Sequence, residues 1–229
     1  MKLYFIRHGE PDYEHDCLTP NGRRQAQCTA QKLKGAGIDE IYASPMGRAV
    51  ETASYTAKEY GYNITKLDFM HEINWGDDKG EIPYGGHPWS LSYRLLTEAP
   101  EYLRSDDWDE HHYFRNNKCL EYYGRISEEF DGFMAGFGYE RKDGLYICHE
   151  PNEKKIALFA HGGSGAVMFS HVLNLTFPFV LAVMPYGVCS ISVIDFASHP
   201  GELIVPRLAL FNEMGHIESF KTEKLTFDK

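Results

Sequence analysis

Two histidines stand directly after short apolar runs that are typical of buried β-strands. Arg7-His8-Gly9-Glu10 follows the apolar residues 3–6, and His161-Gly162-Gly163 follows residues 155–160, which are apolar after Lys155. A neutral imidazole is a competent nucleophile toward phosphorus, and the neighbouring guanidinium of Arg7 disfavours the charged form of His8. We therefore predict a phosphoryl-transfer site with His8 as its nucleophile and His161 beside it.

A phosphoryl group needs positive charge around its oxygens and a proton donor for the leaving oxygen. Arg7 supplies one guanidinium, and Arg48 supplies a second from the first turn of a helix predicted to begin at Ser44-Pro45. Gly162 opens another predicted helix N-terminus, which is a place where anions bind. Glu72, at the end of a strand-like run, is the predicted proton donor.

Segments with strand character alternate with segments of helical spacing along most of the chain. The predicted strands are residues 3–6, 40–43, 64–69, 145–148, 155–160, 189–196 and 203–211, and the predicted helices are residues 19–34, 44–60, 120–137 and 165–173. Such alternation predicts an α/β fold: a three-layer sandwich with a mostly parallel central sheet and helices on both faces. Ligands bind beyond the carboxyl ends of the strands in such sheets, which is where His8 and His161 stand.

The character of the sequence changes between residues 74 and 117. This segment is rich in Gly, Pro, Trp, Tyr, His and acidic residues and is only weakly periodic, so we predict a cap or lid inserted into a single domain that spans residues 1–229. Its ring-bearing side chains either grip a substrate or pack the cap against the body. They are Trp75, Tyr84, His87, Trp89, Tyr93, His111, His112, Tyr113 and Phe114.

The composition limits the classes of partner. With 23 basic and 33 acidic residues the formal net charge is −10, which disfavours nucleic acid and anionic membranes. We expect no membrane span, because no apolar run reaches about 18 residues. The five cysteines are scattered without a CxxC pair. This pattern predicts reduced thiols and a cytoplasmic protein rather than a disulfide framework or a zinc site.

The order of these segments resembles the histidine phosphatase superfamily, also called the phosphoglycerate mutase-like family. The matching patterns are Arg-His-Gly-Glu (residues 7–10), Leu-Thr-x-x-Gly-x-x-Gln-Ala (18–26), Ser-Pro-x-x-Arg-Ala-x-x-Thr-Ala (44–53), Glu72 with Trp75-Gly76, His-Gly-Gly (161–163) and Cys-Ser-Ile-Ser (189–192). The resemblance covers nearly the whole chain and is weakest over residues 74–117.

This resemblance implies roles for the residues singled out above. His8 becomes a phosphohistidine, and Glu72 protonates the leaving alcohol and then activates water. No metal and no cofactor is implied, the expected partner is a small phosphorylated substrate, and a homodimer stays open because some family members dimerise. The catalytic residues are then His8, Glu72, His161, Arg7 and Arg48, and the candidate substrate contacts are Arg7, Arg48, His161, Gly162, Glu14 and Ser44.

Departures from the family pattern bear on the type of activity. Pro11 stands where the family usually has Thr, and Glu14 stands where many members have an Asn that contributes to the pocket. A carboxylate there repels phosphate unless it points away or binds a polar group of the substrate. The Phe-Thr-Gly-Trp-like and Lys-Tyr-Gly-like segments of the mutases are not found in this sequence. Since a mutase must shield its phosphoryl group from water, their loss favours hydrolysis.

The expected activity is therefore that of a metal-independent phosphomonoester hydrolase acting on a small phosphorylated metabolite. A phosphoprotein phosphatase is disfavoured, because a cap tends to exclude folded protein substrates. Two further alternatives remain. The first is a phosphoglycerate-type mutase, which would interconvert isomers. The second is a non-catalytic module that binds a phosphate ligand, although such a module has no need of a nucleophile at His8.

Overall fold

The computed structural model describes residues 1–77, 79, 81, 88–197 and 199–220. Its strands are β1 (Lys2–Arg7), β2 (Pro11–Asp12), β3 (Cys17–Leu18), β4 (Glu40–Ala43), β5 (Ile64–Lys66), β6 (Tyr139–Lys142), β7 (Leu145–Cys148), β8 (Lys155–Ala160), β9 (Ile191–Asp195), β10 (Leu203–Ile204) and β11 (Arg207–Glu213). Its α-helices are α1 (Pro20–Lys34), α2 (Gly47–Tyr60), α3 (Pro88–Glu98), α4 (Cys119–Ala135), α5 (Gly162–Leu173) and α6 (Phe177–Val183).

The central sheet has the strand order β11-β9-β1-β8-β4-β5. β1, β8, β4 and β5 run parallel, while β9 and β11 extend the sheet in antiparallel pairing. Along β8, Leu158 packs into one hydrophobic cluster and Phe159 into another. Successive side chains of a strand point to opposite faces, so β8 is buried on both.

Helices cover the two faces of this sheet. Ala57 of α2 shares the cluster that contains Phe159, whereas Phe130 of α4 and Val167 of α5 belong to the cluster on the other face. The prediction of a three-layer α/β sandwich with a mostly parallel sheet is therefore confirmed. None of the described helices combines the length and apolar character needed to cross a membrane.

Several element boundaries differ from the sequence-based ones. α2 begins at Gly47 rather than at Ser44, because Met46 takes the N-cap position and the Ser44 hydroxyl lies against His161 instead. β5 ends at Lys66, and the next residues form a 3-10 helix. α5 begins at Gly162 rather than at residue 165.

The predicted strand over residues 203–211 was wrong, because this segment forms two strands. β10 pairs with β7 in a second sheet, and β11 pairs with β9 at the edge of the central sheet. Pro206 lies between them, and a proline has no N–H to donate to a ladder. The interruption therefore falls where the sequence places the proline.

The segment predicted as a cap contains a regular element that its weak periodicity did not reveal. α3 buries Leu91 and Leu95, which are four residues apart on one face, in the same cluster as α4 and α5. Trp75 stacks in parallel on Phe177 of α6, with ring centroids 5.9 Å apart. The segment is thus packed onto the body through α6. Two of its candidate residues, Tyr84 and His87, lie outside the described residues.

Candidate active site

His8 is held at the carboxyl end of β1 with one ring nitrogen already engaged. The side chain is buried, with 1% of its surface exposed. Its Nδ1 lies 2.7 Å from the carbonyl oxygen of Gly9. A carbonyl only accepts hydrogen bonds, so Nδ1 carries the hydrogen and Nε2 keeps the lone pair. This tautomer leaves Nε2 as the nucleophilic atom.

His161 stands at the end of the neighbouring strand β8, beside His8. The two imidazole rings have centroids 5.1 Å apart because β1 and β8 pair in register. The Nε2 of His161 lies 2.7 Å from the hydroxyl of Ser44, and among the described residues its buried Nδ1 has no hydrogen-bond partner. Ser44 therefore orients His161, and Nδ1 is the nitrogen available to a ligand.

Burial sets the protonation state of both histidines. The pKa of His8 is lowered from 6.5 to about 3, first by burial and then by the charge of Arg7, with a smaller contribution from Arg48. The pKa of His161 is lowered well below 6.5 by burial, with the neighbouring His8 acting in the same direction. Both rings are neutral at neutral pH, which is the state that a nucleophilic His8 requires.

Neutral burial of His8 predicts that the free energy of unfolding falls on acidification. A histidine titrates near 6.5 when unfolded, whereas His8 in the fold does so near 3, so the unfolded state binds more protons between these values. Stability is then fully present above the unfolded pKa and is lost as pH falls, by up to ~1.4 kcal/mol per pH unit for one such group. Urea unfolding at about pH 7 and about pH 5 should show a smaller loss in His8→Asn than in wild type. Equal losses in the two proteins would contradict the neutral burial of His8.

The two arginines are each held by one Nη atom. Arg7 donates from Nη1 to the carbonyl oxygen of Tyr186 at 2.8 Å, and Arg48 donates from Nη1 to Oδ1 of Asp16 at 2.5 Å. The Nε atom of each guanidinium is buried and has no hydrogen-bond partner among the described residues. Buried donors rarely stay unsatisfied, and a phosphate oxygen is the acceptor that suits a guanidinium edge. Both arginines therefore present the same free edge to an anion.

Asp16 is the residue at this site that the sequence analysis missed. Its Oδ1 accepts from Arg48, and its Oδ2 accepts from the N–H of Gly47 at 2.6 Å, at the start of α2. Its φ of 47° is left-handed, a conformation that Asp tolerates better than most residues. Glu14, the predicted pocket residue, lies in the same hairpin with an exposed side chain. The hairpin thus delivers a carboxylate to Arg48, but from Asp16 rather than from Glu14.

The geometry around Arg48 predicts how strongly inorganic phosphate inhibits variants of this arginine and of its neighbours. Arg48→Ala should weaken phosphate inhibition about tenfold, because a charge-assisted hydrogen bond is lost. Asp16→Ala should weaken it less, since the guanidinium stays but is no longer aimed. Glu14→Ala is the matched control and should leave the inhibition constant unchanged. Tighter inhibition in Asp16→Ala would instead make its carboxylate a competitor of phosphate for Arg48.

Glu72 is fixed at the N-terminus of α5. Its Oε1 accepts from the backbone N–H groups of Ile73, Gly163 and Ser164, each at 3.0 Å, whereas its Oε2 receives only a 3.3 Å contact from Gly163. The free N–H groups at this helix N-terminus are therefore satisfied by a carboxyl group of the protein itself. Oε2 is its less engaged oxygen.

Comparison with known proteins shows the family of the chain. The sequence profile of the histidine phosphatase superfamily (branch 1) matches residues 3–206. The chain belongs to this superfamily. The segments that position the site of this superfamily member, from residue 3 in β1 to the end of β9, lie inside the matched range.

Proteins of similar sequence carry names that assign them different activities. A probable phosphoglycerate mutase of Yersinia enterocolitica is 26% identical over 87% of this chain and 87% of its own length. A probable phosphatase of Schizosaccharomyces pombe is 25% identical over 98% of this chain and 99% of its own length. A 2,3-bisphosphoglycerate-dependent phosphoglycerate mutase of Thermoplasma acidophilum is 30% identical, but the match spans 48% of this chain and 60% of that protein.

Solved structures of the superfamily share the fold. A phosphoserine phosphatase of Entamoeba histolytica has a TM-score of 0.65 at 23% identity, with 94% of this chain and 98% of that chain covered. A mycobacterial glucosyl-3-phosphoglycerate phosphatase has a TM-score of 0.61 at 18% identity, with 93% and 99% covered. At such identities the likeness shows the fold alone.

Two further residues of the superfamily motif have structural explanations. The carboxylate of Glu10 accepts from the Thr19 hydroxyl at 2.7 Å and from the Asn21 amide at 2.9 Å, so it fixes the loop after β1 to the start of α1. At Gly163, a Cβ would lie 2.7 Å from Oε1 of Glu72. This glycine is required because any side chain would displace the carboxylate.

Proposed function

We propose that this protein is a metal-independent phosphomonoester hydrolase that acts through a phosphohistidine at His8 on a small phosphorylated metabolite. One observation carries the proposal: the His8 tautomer leaves Nε2 unprotonated next to two arginines whose Nε donors have no partner. A neutral nucleophile and free guanidinium edges in one buried site are the requirements of phosphoryl transfer.

The reaction then proceeds in two balanced steps. Nε2 of His8 forms a bond to phosphorus while the bond from phosphorus to the ester oxygen breaks, and Glu72, which enters this step in its protonated form, gives its proton to the departing oxygen. The phosphoryl oxygens bind the Nε edges of Arg7 and Arg48 and the Nδ1 side of His161. In the second step Glu72 takes a proton from water, the water oxygen attacks phosphorus, and inorganic phosphate leaves with His8 restored.

A phosphoglycerate-type mutase is the second candidate, and the names of the Yersinia and Thermoplasma relatives favour it. The full-length match to a probable phosphatase and the missing mutase segments support hydrolysis instead. A binding module is disfavoured, because a phosphate site alone does not need the engaged Nδ1 of His8 or the fixed carboxylate of Glu72.

Phosphorus NMR in the presence of excess chelator separates these functions. We expect inorganic phosphate to accumulate from p-nitrophenyl phosphate and from several phosphorylated metabolites, with unchanged rates when the chelator is present. Exchange of 2- and 3-phosphoglycerate without phosphate release would support the mutase. Tight binding of phosphate with no turnover of any ester would support the binding module.

A further inference from the structure

Trp89 of α3 reaches the phosphate-binding side of the site. A Cβ at Gly162 would lie 3.4 Å from Cζ2 of Trp89, and the same point lies 3.3 Å from Cζ and 3.4 Å from Nη2 of Arg7. The edge of the indole and the guanidinium therefore meet over the first residue of α5. Trp89 is only partly buried, so part of this ring remains accessible.

A second tryptophan continues this surface beside Glu72. Trp75 follows Glu72 by three residues, and its ring centroid lies 5.8 Å from that of Trp89. The hydrophobic core supports this pair of tryptophans, since Trp75 stacks in parallel on the fully buried Phe177. We name Trp75 and Trp89 the aromatic wall. Glu72 lies at the same helix start, because its Oε1 accepts from the N–H of Gly163, the residue after the one that Trp89 reaches.

The charges around the wall disfavour a second anionic group on the substrate. The pKa values of His8 and His161 are lowered by nearby basic groups. Apart from the two histidines themselves, these groups are Arg7, Arg48 and the neighbouring His71. The phosphoryl group occupies both arginines. Of the described residues that follow Trp75, Asp77 and Glu81 are acidic and Lys79 is basic, so this stretch adds net negative charge, which disfavours a carboxylate on the leaving group.

We propose that the aromatic wall is the leaving-group subsite and that it selects phosphomonoesters whose leaving group is uncharged and carries an aromatic ring. This proposal rests on the hydrolase function proposed above and adds the substrate class. An aromatic ring stacks on tryptophan with a gain beyond that of an aliphatic ring of similar area. Leaving groups that carry a carboxylate, such as those of phosphoglycerates and phosphoserine, fall outside this substrate class.

Three esters and three variants test the wall. Benzyl, cyclohexylmethyl and 4-carboxybenzyl phosphate all have poorly activated alcohol leaving groups, and they differ in ring character or charge. We expect wild type to prefer benzyl phosphate over each of the others by about tenfold in kcat/KM. Trp89→Ala should remove the preference over the cyclohexyl ester without weakening inhibition by inorganic phosphate. Trp89→Phe should keep it, and Tyr62→Ala, which removes an exposed aromatic after the distant end of α2, should change nothing.

The outcomes separate the subsite from the hydrolase function. Equal kcat/KM for the benzyl and cyclohexylmethyl esters in wild type, an unchanged ratio in Trp89→Ala, or preference for the carboxybenzyl ester would each overturn the wall while leaving a working hydrolase. Failure of wild type to release phosphate from these esters and from p-nitrophenyl phosphate would overturn the hydrolase and the wall together. Should Trp89→Ala unfold, Trp89→Leu removes the ring at similar apolar volume and must give the same loss of preference.

Discussion

Replacing His8 with alanine is expected to reduce ester hydrolysis about a thousandfold or more, which corresponds to ~4 kcal/mol of lost transition-state stabilisation. The reason is that in the proposed mechanism Nε2 of His8 forms the bond to phosphorus, whereas the neighbouring neutral ring of His161 only hydrogen-bonds a phosphoryl oxygen. Binding of inorganic phosphate should survive, because Arg7, Arg48 and His161 supply its hydrogen bonds. The measurement is kcat/KM for p-nitrophenyl phosphate together with the inhibition constant of phosphate.

The control for this change is a histidine of the same chain that lies outside the site. His15 is exposed in the hairpin between β2 and β3 and is hydrogen-bonded to Asp12. His15→Ala should retain wild-type turnover. If His8→Ala kept most of the wild-type turnover, and His15→Ala had the same turnover as His8→Ala, His8 would not be the nucleophile.

The second large effect is expected for Glu72→Gln, with a size that depends on the leaving group. General acid catalysis contributes about 10²–10⁴-fold, and this contribution is needed most when the departing oxygen is strongly basic. The glutamine oxygen can still accept from Ile73, Gly163 and Ser164, so the start of α5 keeps its hydrogen bonds. Turnover should therefore fall far more for benzyl phosphate than for p-nitrophenyl phosphate.

A charge-neutralising change in the neighbouring motif is the control for Glu72. The Glu10 carboxylate accepts from Thr19 and Asn21, one on each oxygen, and holds the loop after β1 rather than transferring a proton. Any rate loss in Glu10→Gln should be similar for the two esters, because it alters the loop rather than proton transfer. Similar losses for the two esters in Glu72→Gln would remove Glu72 as the acid.

The parts of the fold that follow from local sequence were predictable. β4 and β8 match their predicted ranges, because short apolar runs buried in a sheet leave a clear pattern. α1 also begins as predicted: Thr19 caps it through the N–H of Gly22, and Pro20 occupies its first position. α3 was missed because its apolar positions lie among aromatic and turn-forming residues whose burial depends on α6, far away in the chain.

The site was predictable to the extent that strand ends define it. His8 and His161 come together because β1 and β8 are parallel neighbours, and the α/β pattern implies such an edge. The groups that orient the two arginines, Arg7 and Arg48, were not predictable. Asp16 and the Tyr186 carbonyl reach the arginines through the tertiary fold, and no spacing in the sequence links either one to its partner. The contact of the Ser44 hydroxyl with Nε2 of His161 was not predictable either, and its predicted contact with substrate stays a prediction.

The identity of the phosphorylated residue tests the central claim most directly. The protein would be mixed briefly with a labelled phosphomonoester, quenched in alkali to preserve phosphohistidine, digested and mapped by mass spectrometry. We expect the phosphoryl group on the peptide that contains His8, none in His8→Ala, and a chemical lability in acid that is typical of phosphohistidine. A phosphoryl group on another residue, or steady hydrolysis by wild type with no trapped intermediate at His8 under any quench time, would contradict the mechanism.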